Sequence, residues 1–269
     1  MVYGVRIALL AGLAGLVGCA SEAPVDAGAD EDVAETQDDL ALGGDFDAKY
    51  VGCDEFAGVG LVPLANVIDR VPPGYTVIEA APGAAIVVAQ GGRCDKISVE
   101  GRWGRRGIFA QFGVGVVPPT GTGDGNFYQL MFATDHPVLA TRLLLVGANA
   151  RYAPGLDFDI TSAPALSVSV PQPLPLAWRL DGPITLPDPS APPNPVTTFN
   201  YWRRTFFHGN VLQQNVVTGI RFGEGSSVAL TAIGPEMEEI IGGTSLTFPF
   251  FSKPEIFDRA DVAVQTHVF

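Results

Sequence analysis

The densest concentration of side chains able to recognise a ligand lies in Tyr201-Trp-Arg-Arg-Thr-Phe-Phe-His208. Read as a strand, its alternation puts Trp202, Arg204, Phe206 and His208 on one face and Tyr201, Arg203, Thr205 and Phe207 on the other. The first face carries two aromatic rings, a guanidinium and an imidazole, and lining a barrel it would form a binding wall for an anionic or sugar-like ligand. The competing reading makes the aromatics core and pairs Arg204 and His208 with carboxylates at a rim.

Other reactive residue types fall short of a recognisable site. His136, His208 and His267 are far apart and form no ligand-spaced pair, so no metal is expected. Gly225-Ser226-Ser227 lacks the Gly-x-Ser-x-Gly elbow that exposes a nucleophilic serine, and no acid-base partner can be named for it. Asp157 and Asp159 would sit about 7 Å apart on one strand face, but their alternation with Leu156, Phe158 and Ile160 is also that of a solvated outer face. Gly121-Thr-Gly-Asp-Gly-Asn126 is glycine-rich without the Lys-Ser/Thr that grips phosphate and magnesium; its Asp124-Gly125 suits a hairpin turn. The basic run Gly101 to Gly107 reads as an exposed turn, with contact to anionic headgroups or glycan as the alternative. No catalytic residue and no cofactor is assigned.

The amino-terminal end is more informative. One arginine, Arg6, precedes the apolar run Ile7 to Val17, too short to span a bilayer and suited to a cleaved signal peptide over residues 1–18. Leu16-Val17-Gly18-Cys19 then resembles the bacterial lipobox, which implies acylation of Cys19 and a stable lipid anchor. In the lipoproteins this resembles, an aspartate after the cysteine marks inner-membrane retention, so with Ala20 and Ser21 there the resemblance implies the outer membrane, facing the periplasm. From Ala20 to Asp47 there are ten acidic residues and no basic ones, so residues 19–48 read as the lipidated cysteine and an acidic, disordered tether; an acidic interaction tail or a calcium-binding stretch is the alternative, without calcium-loop spacing. Beyond the tether, 19 acidic and 15 basic side chains nearly balance, which leaves no basic face for nucleic acid. The expected partners are the bilayer and a small-molecule or glycan ligand; oligomeric state is not read.

With Cys19 acylated, Cys53 and Cys94 are the one intrachain disulfide available, the alternative being two separate buried thiols. Residues 49–269 are expected to form a single β-rich domain. Short runs rich in Val, Ile, Phe, Tyr and Thr, punctuated by Gly and Pro, predict strands at 56–62, 75–80, 84–90, 108–117, 126–133, 156–161, 165–170, 175–180, 196–207, 210–221, 227–233, 245–250 and 262–268. Three short helices are expected: Leu64 to Arg70, stopped by Val71-Pro-Pro-Gly74; Pro137 to Val146, with Asp135 as cap and Gly147 as exit; and Pro235 to Ile241 before Gly242-Gly243. Asp181 to Pro195 reads as a long surface loop, or less simply as a domain boundary. The fold class is therefore α+β, mostly antiparallel β, a barrel or cone-like sheet.

The order Val62-Pro63-Leu64 to Gly74, Val116-Val-Pro-Pro119, Tyr128 to Asp135 and Leu139-Ala-Thr-Arg142 to Gly147 resembles the acetoacetate decarboxylase-like family, over about half of the domain. The resemblance implies a β-cone or barrel with an interior pocket. It also implies a Schiff-base lysine shortly after the helix ending at Gly147, its pKa lowered so that the free amine can attack a β-keto acid. The chain has no lysine between Lys96 and Lys253, and Arg151 cannot substitute because a guanidinium stays protonated. The expectation is a non-catalytic envelope lipoprotein that binds a small or carbohydrate-like ligand in a β-barrel pocket; a divergent enzyme of the same fold and a structural or protein-interaction role are the alternatives.

Overall fold

A computed structural model describes residues 43–161, 165–249 and 251–268. The signal peptide, Cys19 and nearly all of the expected tether lie outside the described residues, as does Phe250 at the end of one expected strand.

In chain order the elements are β1 (Phe46–Pro63), β2 (Glu79–Ala81), β3 (Ala84–Val99), β4 (Arg102–Gly115), β5 (Gly125–Thr134), α1 (Pro137–Leu145), β6 (Ala150–Tyr152), β7 (Asp157–Asp159) and β8 (Ala165–Val170). There follow β9 (Trp178–Thr185), β10 (Thr197–Thr205), β11 (Gly209–Thr218), β12 (Arg221–Phe222), β13 (Glu224–Gly225), β14 (Ala229–Ala232), α2 (Pro235–Ile241), β15 (Ser245–Thr247) and β16 (Phe251–Gln265). The helix expected over Leu64 to Arg70 is two short 3-10 turns, Leu64–Asn66 and Ile68–Arg70.

Seven strands close a mostly antiparallel barrel in the order β1, β16, β11, β10, β5, β4, β3, with β3 pairing back onto β1. The junction of β10 with β5 is parallel. A second sheet, β15-β14-β9-β8-β7, lies outside the barrel. Two apolar clusters follow from this layering. One, including Phe56, Phe112, Trp178, Trp202, Leu230 and Phe248, joins barrel residues to the second sheet and α2. The other, including Tyr50, Ile97, Phe109, Phe132 and Phe257, lies among the barrel strands and takes in Leu139 and Leu143 of α1.

β1 shows how sequence sets the faces. Phe46, Ala48 and Tyr50 are buried and alternate with exposed Asp47, Lys49 and Val51, the period of two that a half-buried strand requires. Gly52, at φ +59°, interrupts that alternation in a conformation that favours glycine, so Cys53 and Glu55 are buried next. The disulfide Cys53–Cys94 joins residues directly opposite on β1 and β3.

The structure moves several expected boundaries. β1 begins at Phe46, so residues 46–48, read as tether, belong to the barrel, and Asp45 accepts from the Thr266 amide at 2.8 Å. The basic run after Gly101 is the start of β4 and not a free turn. Asp181 to Thr185, read as loop, continues β9 through Pro183. His136 caps α1, its Nδ1 accepting from Leu139 N at 3.2 Å, while the expected cap Asp135 accepts from Ile108 N at 2.7 Å.

Candidate functional site: the barrel interior and an outer groove

Polar side chains occupy the centre of the barrel. Glu55 and Glu255 stand directly opposite each other on β1 and β16, both buried. Gln90 on β3 donates through Nε2 to Glu55 Oε1. Gln111 on β4 donates to Gln90 Oε1 at 2.6 Å, and Gln129 on β5 donates to Gln111 Oε1 at 2.7 Å. The Tyr201 hydroxyl donates to Gln90 Oε1 at 2.7 Å. Arg203 on β10 donates from Nη2 to Gln129 Oε1 and to Gln213 Oε1, the latter at 3.1 Å, and Gln213 donates to Asn215 Oδ1 at 3.2 Å. Every barrel strand therefore contributes to one amide-rich chain, the arrangement that buried polar groups need in order to avoid a desolvation penalty. The Tyr50 hydroxyl and Arg203 Nε and Nη1 are buried without a hydrogen-bond partner among the described residues.

Burial governs the electrostatics here. It pushes the Glu255 carboxyl up to about 7, against the opposing effect of a hydrogen bond from Glu55. Glu55 is held well above the usual carboxylate range by burial first, then by the charge of Glu255 and the hydrogen bond to it. The pair thus holds a proton at neutral pH, as two carboxyls sharing a low-dielectric site must. Burial also raises the Tyr50 and Tyr201 phenols, and it lowers Arg203 to about 10, which leaves the guanidinium charged.

Little space is left beside the carboxyl pair. The cavity bounded by Tyr50, Glu55, Gln90, Phe109, Tyr201 and Glu255 measures about 10 Å³, room for roughly one water and no more. An amine is missing as well: Lys49 and Lys96 are exposed and line a groove outside the barrel, and Lys253 contacts Glu224 at 3.3 Å. After α1, where the family resemblance places the Schiff-base lysine, the buried positions are apolar: Val146, Ala148, Ala150 and Ala153.

That outer groove measures about 570 Å³, within the range of small-ligand sites, and crosses β1, β3, β11 and β16. Asp47, Lys49, Lys96, Ser98, Gln214 and Asp261 supply its polar lining. A smaller cavity of about 210 Å³ lies elsewhere, between Arg70, Arg151, Asn149 and Glu236.

The expected binding wall does not face the barrel interior. Tyr201 and Arg203 turn inward, so the opposite face of β10 lines the barrel. Trp202 is buried between the barrel and the second sheet, its Nε1 donating to Asn126 Oδ1 at 2.9 Å. Arg204 reaches Pro73 O at 2.8 Å, Phe206 is exposed, and His208 Nε2 lies 3.2 Å from Leu145 O. These four side chains do not converge on one cavity; which face of a strand points inward depends on closure by its neighbours, which alternation alone does not give. Sequence reasoning missed Glu55, Gln90, Gln111, Gln129, Gln213 and Glu255. One signal was there: three expected apolar strands, 84–90, 108–117 and 126–133, each carry a single glutamine.

No family model matches the sequence, and no curated protein matches it. Solved structures do match in shape. A structure described as a structural study of acetoacetate decarboxylase aligns with a TM-score of 0.52 at 11% identity, covering 81% of this chain and 88% of that one. Acetoacetate decarboxylase from Legionella pneumophila gives 0.51 at 11%, covering 87% and 91%. An acetoacetate decarboxylase-like enzyme from Sphingomonas wittichii RW1 gives 0.50 at 13%, covering 89% and 98%. At such identities the likeness speaks for architecture alone: a closed seven-stranded barrel of the acetoacetate decarboxylase-like fold.

Proposed function

We propose that this chain is a cell-envelope lipoprotein, anchored through acylated Cys19 and facing the periplasm from the outer membrane, whose barrel is non-catalytic. On this reading it binds a small polar or carbohydrate-like ligand on the outside of the barrel. The observation that carries the reading is the contrast in space: about 10 Å³ in the cavity beside Glu55 and Glu255 inside the barrel against about 570 Å³ in the groove between Lys49, Lys96 and Asp261. Amide and carboxyl groups fill the interior that the fold would otherwise offer a substrate, and no lysine stands there to form an imine. In the groove, two ammonium groups, two carboxylates, a hydroxyl and an amide offer the mixed donors and acceptors that hydroxyl-rich ligands use.

A thermal-shift screen of the full chain against oligosaccharides and small carboxylates tests this. A ligand should stabilise the protein, and the stabilisation should vanish in Lys49→Ala/Lys96→Ala. A hit unaffected by that double substitution moves the site elsewhere, and no hit at all favours a structural or protein-interaction role. The second reading, a divergent enzyme, draws on the proton-holding Glu55–Glu255 pair, a group of the kind used in acid-base chemistry. It requires turnover of a keto acid or related substrate that Glu255→Gln abolishes; inactivity across such a panel removes it.

A further inference from the structure

The turn from β10 to β11 carries two adjacent phenylalanines in the open: Phe206 is 94% exposed and Phe207 80%, their rings set edge to face with centroids 5.1 Å apart. Among the described residues, the fold buries neither ring. Their turn is nevertheless firmly built. His208 N donates to Thr205 Oγ1 at 3.0 Å, His208 Nε2 sits 3.2 Å from Leu145 O at the end of α1, and His267 N donates to His208 O at 3.2 Å. Leu144, beside that helix end, is also exposed.

Beside this turn the described chain begins. A Cβ on Gly43 would lie 3.3 Å from both His208 Cε1 and Leu145 O, so the segment leading from Cys19 enters the domain next to the phenylalanine pair. The 23 residues between Cys19 and Gly43 reach at most about 80 Å, which tethers the domain without orienting it. Orientation therefore has to come from the domain's own surface, and the chain enters the domain at the pole that carries the phenylalanine pair.

We propose that Phe206 and Phe207 insert into the outer boundary of the lipid bilayer and orient the domain on the membrane to which Cys19 anchors it. Exposed aromatic side chains at the pole where the chain enters gain by leaving water for a bilayer, and ring-sized insertion into the headgroup boundary requires no backbone to enter the hydrocarbon. The anchored orientation rests on the lipoprotein reading above; insertion of the turn itself does not.

The test uses the full chain carrying Phe207→Trp, produced in bacterial cells and reconstituted into phosphatidylcholine vesicles with brominated acyl chains. Mass measurement of the mature protein reports acylation of Cys19 separately. Insertion predicts a blue shift of the added indole's emission on vesicle binding and its quenching by bromine. Phe206→Ser combined with Phe207→Trp should reduce both, and the chain without the added indole, with Trp178 and Trp202 buried and Trp103 exposed on β4, is measured alongside and its signal subtracted. Acylation with an unquenched, unshifted emission from the Phe207→Trp variant overturns insertion and leaves the anchor standing. Quenching of an unacylated protein mixed with vesicles upholds insertion and removes the anchor. A blue shift that grows with protein concentration in the absence of lipid identifies the turn as a contact between copies and overturns the proposal.

Discussion

Glu255 makes the strongest demand on the solvent conditions. Its carboxyl titrates near 7 when folded and near 4.5 when unfolded, so between those values the unfolded chain gives up a proton that the folded chain keeps. Stability contributed by the protonated form is therefore fully present below about pH 4.5, falls as pH rises, and is gone above about 7. Glu55, raised in the same direction, extends the effect. Glu255→Gln keeps the shape and removes the titration, so the variant should lose most of the wild-type decline between pH 5 and 8 and be more stable than wild type at pH 8 by on the order of 1–3 kcal/mol. Urea unfolding at several pH values measures this, and parallel slopes for the two proteins would refute it. The sequence made the outer rings and cations of Tyr201 to His208 conspicuous, but the glutamines and glutamates of the interior carry no such mark. Gln90, Gln111 and Gln129 are single amides in apolar runs, Glu55, Gln213 and Glu255 sit among other polar residues, and only closure of seven strands shows that they meet.

Between elements, glycines set how closely the layers approach. A Cβ on Gly58 in β1 would fall 2.3 Å from Phe248 Cδ2, and one on Gly182 in β9 would fall 2.6 Å from Val228 Cα. Gly58→Ala should destabilise by about 1–3 kcal/mol, since the added methyl would overlap the buried Phe248 ring, which must shift to admit it. Phe248→Ala alone should cost about 3–5 kcal/mol, and the double variant should lose at least about 1 kcal/mol less than the two losses summed. Simple additivity in denaturant unfolding would show that this contact does not set the spacing. Element positions were legible where alternation was clean: β8 and α2 lie where the sequence puts them, and α1 ends one residue short of its expected end. The first half of β1 was hidden by acidic residues that continue the tether's composition, because Asp47 and Asp54 decorate one side of a strand whose other side is core. The first half of β16 was hidden similarly, with Lys253, Asp258, Arg259 and Asp261 interleaving Phe257, Ala260 and Val262.

At the scale of the molecule, Cys53–Cys94 staples the two strands that complete the barrel. Closing a loop of 41 residues stabilises by roughly 4 kcal/mol on chain-entropy grounds, so Cys53→Ser/Cys94→Ser should lose about 2–4 kcal/mol in equilibrium unfolding while keeping the far-UV spectrum of a β protein. An unchanged midpoint would mean that the ladder of β1 with β3 already fixes this region. β1 has a second neighbour, β16, and the register from Phe46 with Val264 to Val59 with Phe251 joins the beginning of the domain to its end. A chain emerging from its amino terminus can lay β1 against β3 early, but the far edge of β1 stays bare until the last strand arrives some 200 residues later. Until that moment the nascent sheet has two open edges and an amide-rich interior exposed to water, a state prone to pairing with other chains. Loss of the final strand, by truncation or a late frameshift, would therefore leave most of the sequence intact and yet turn a closed barrel into an open, self-associating sheet.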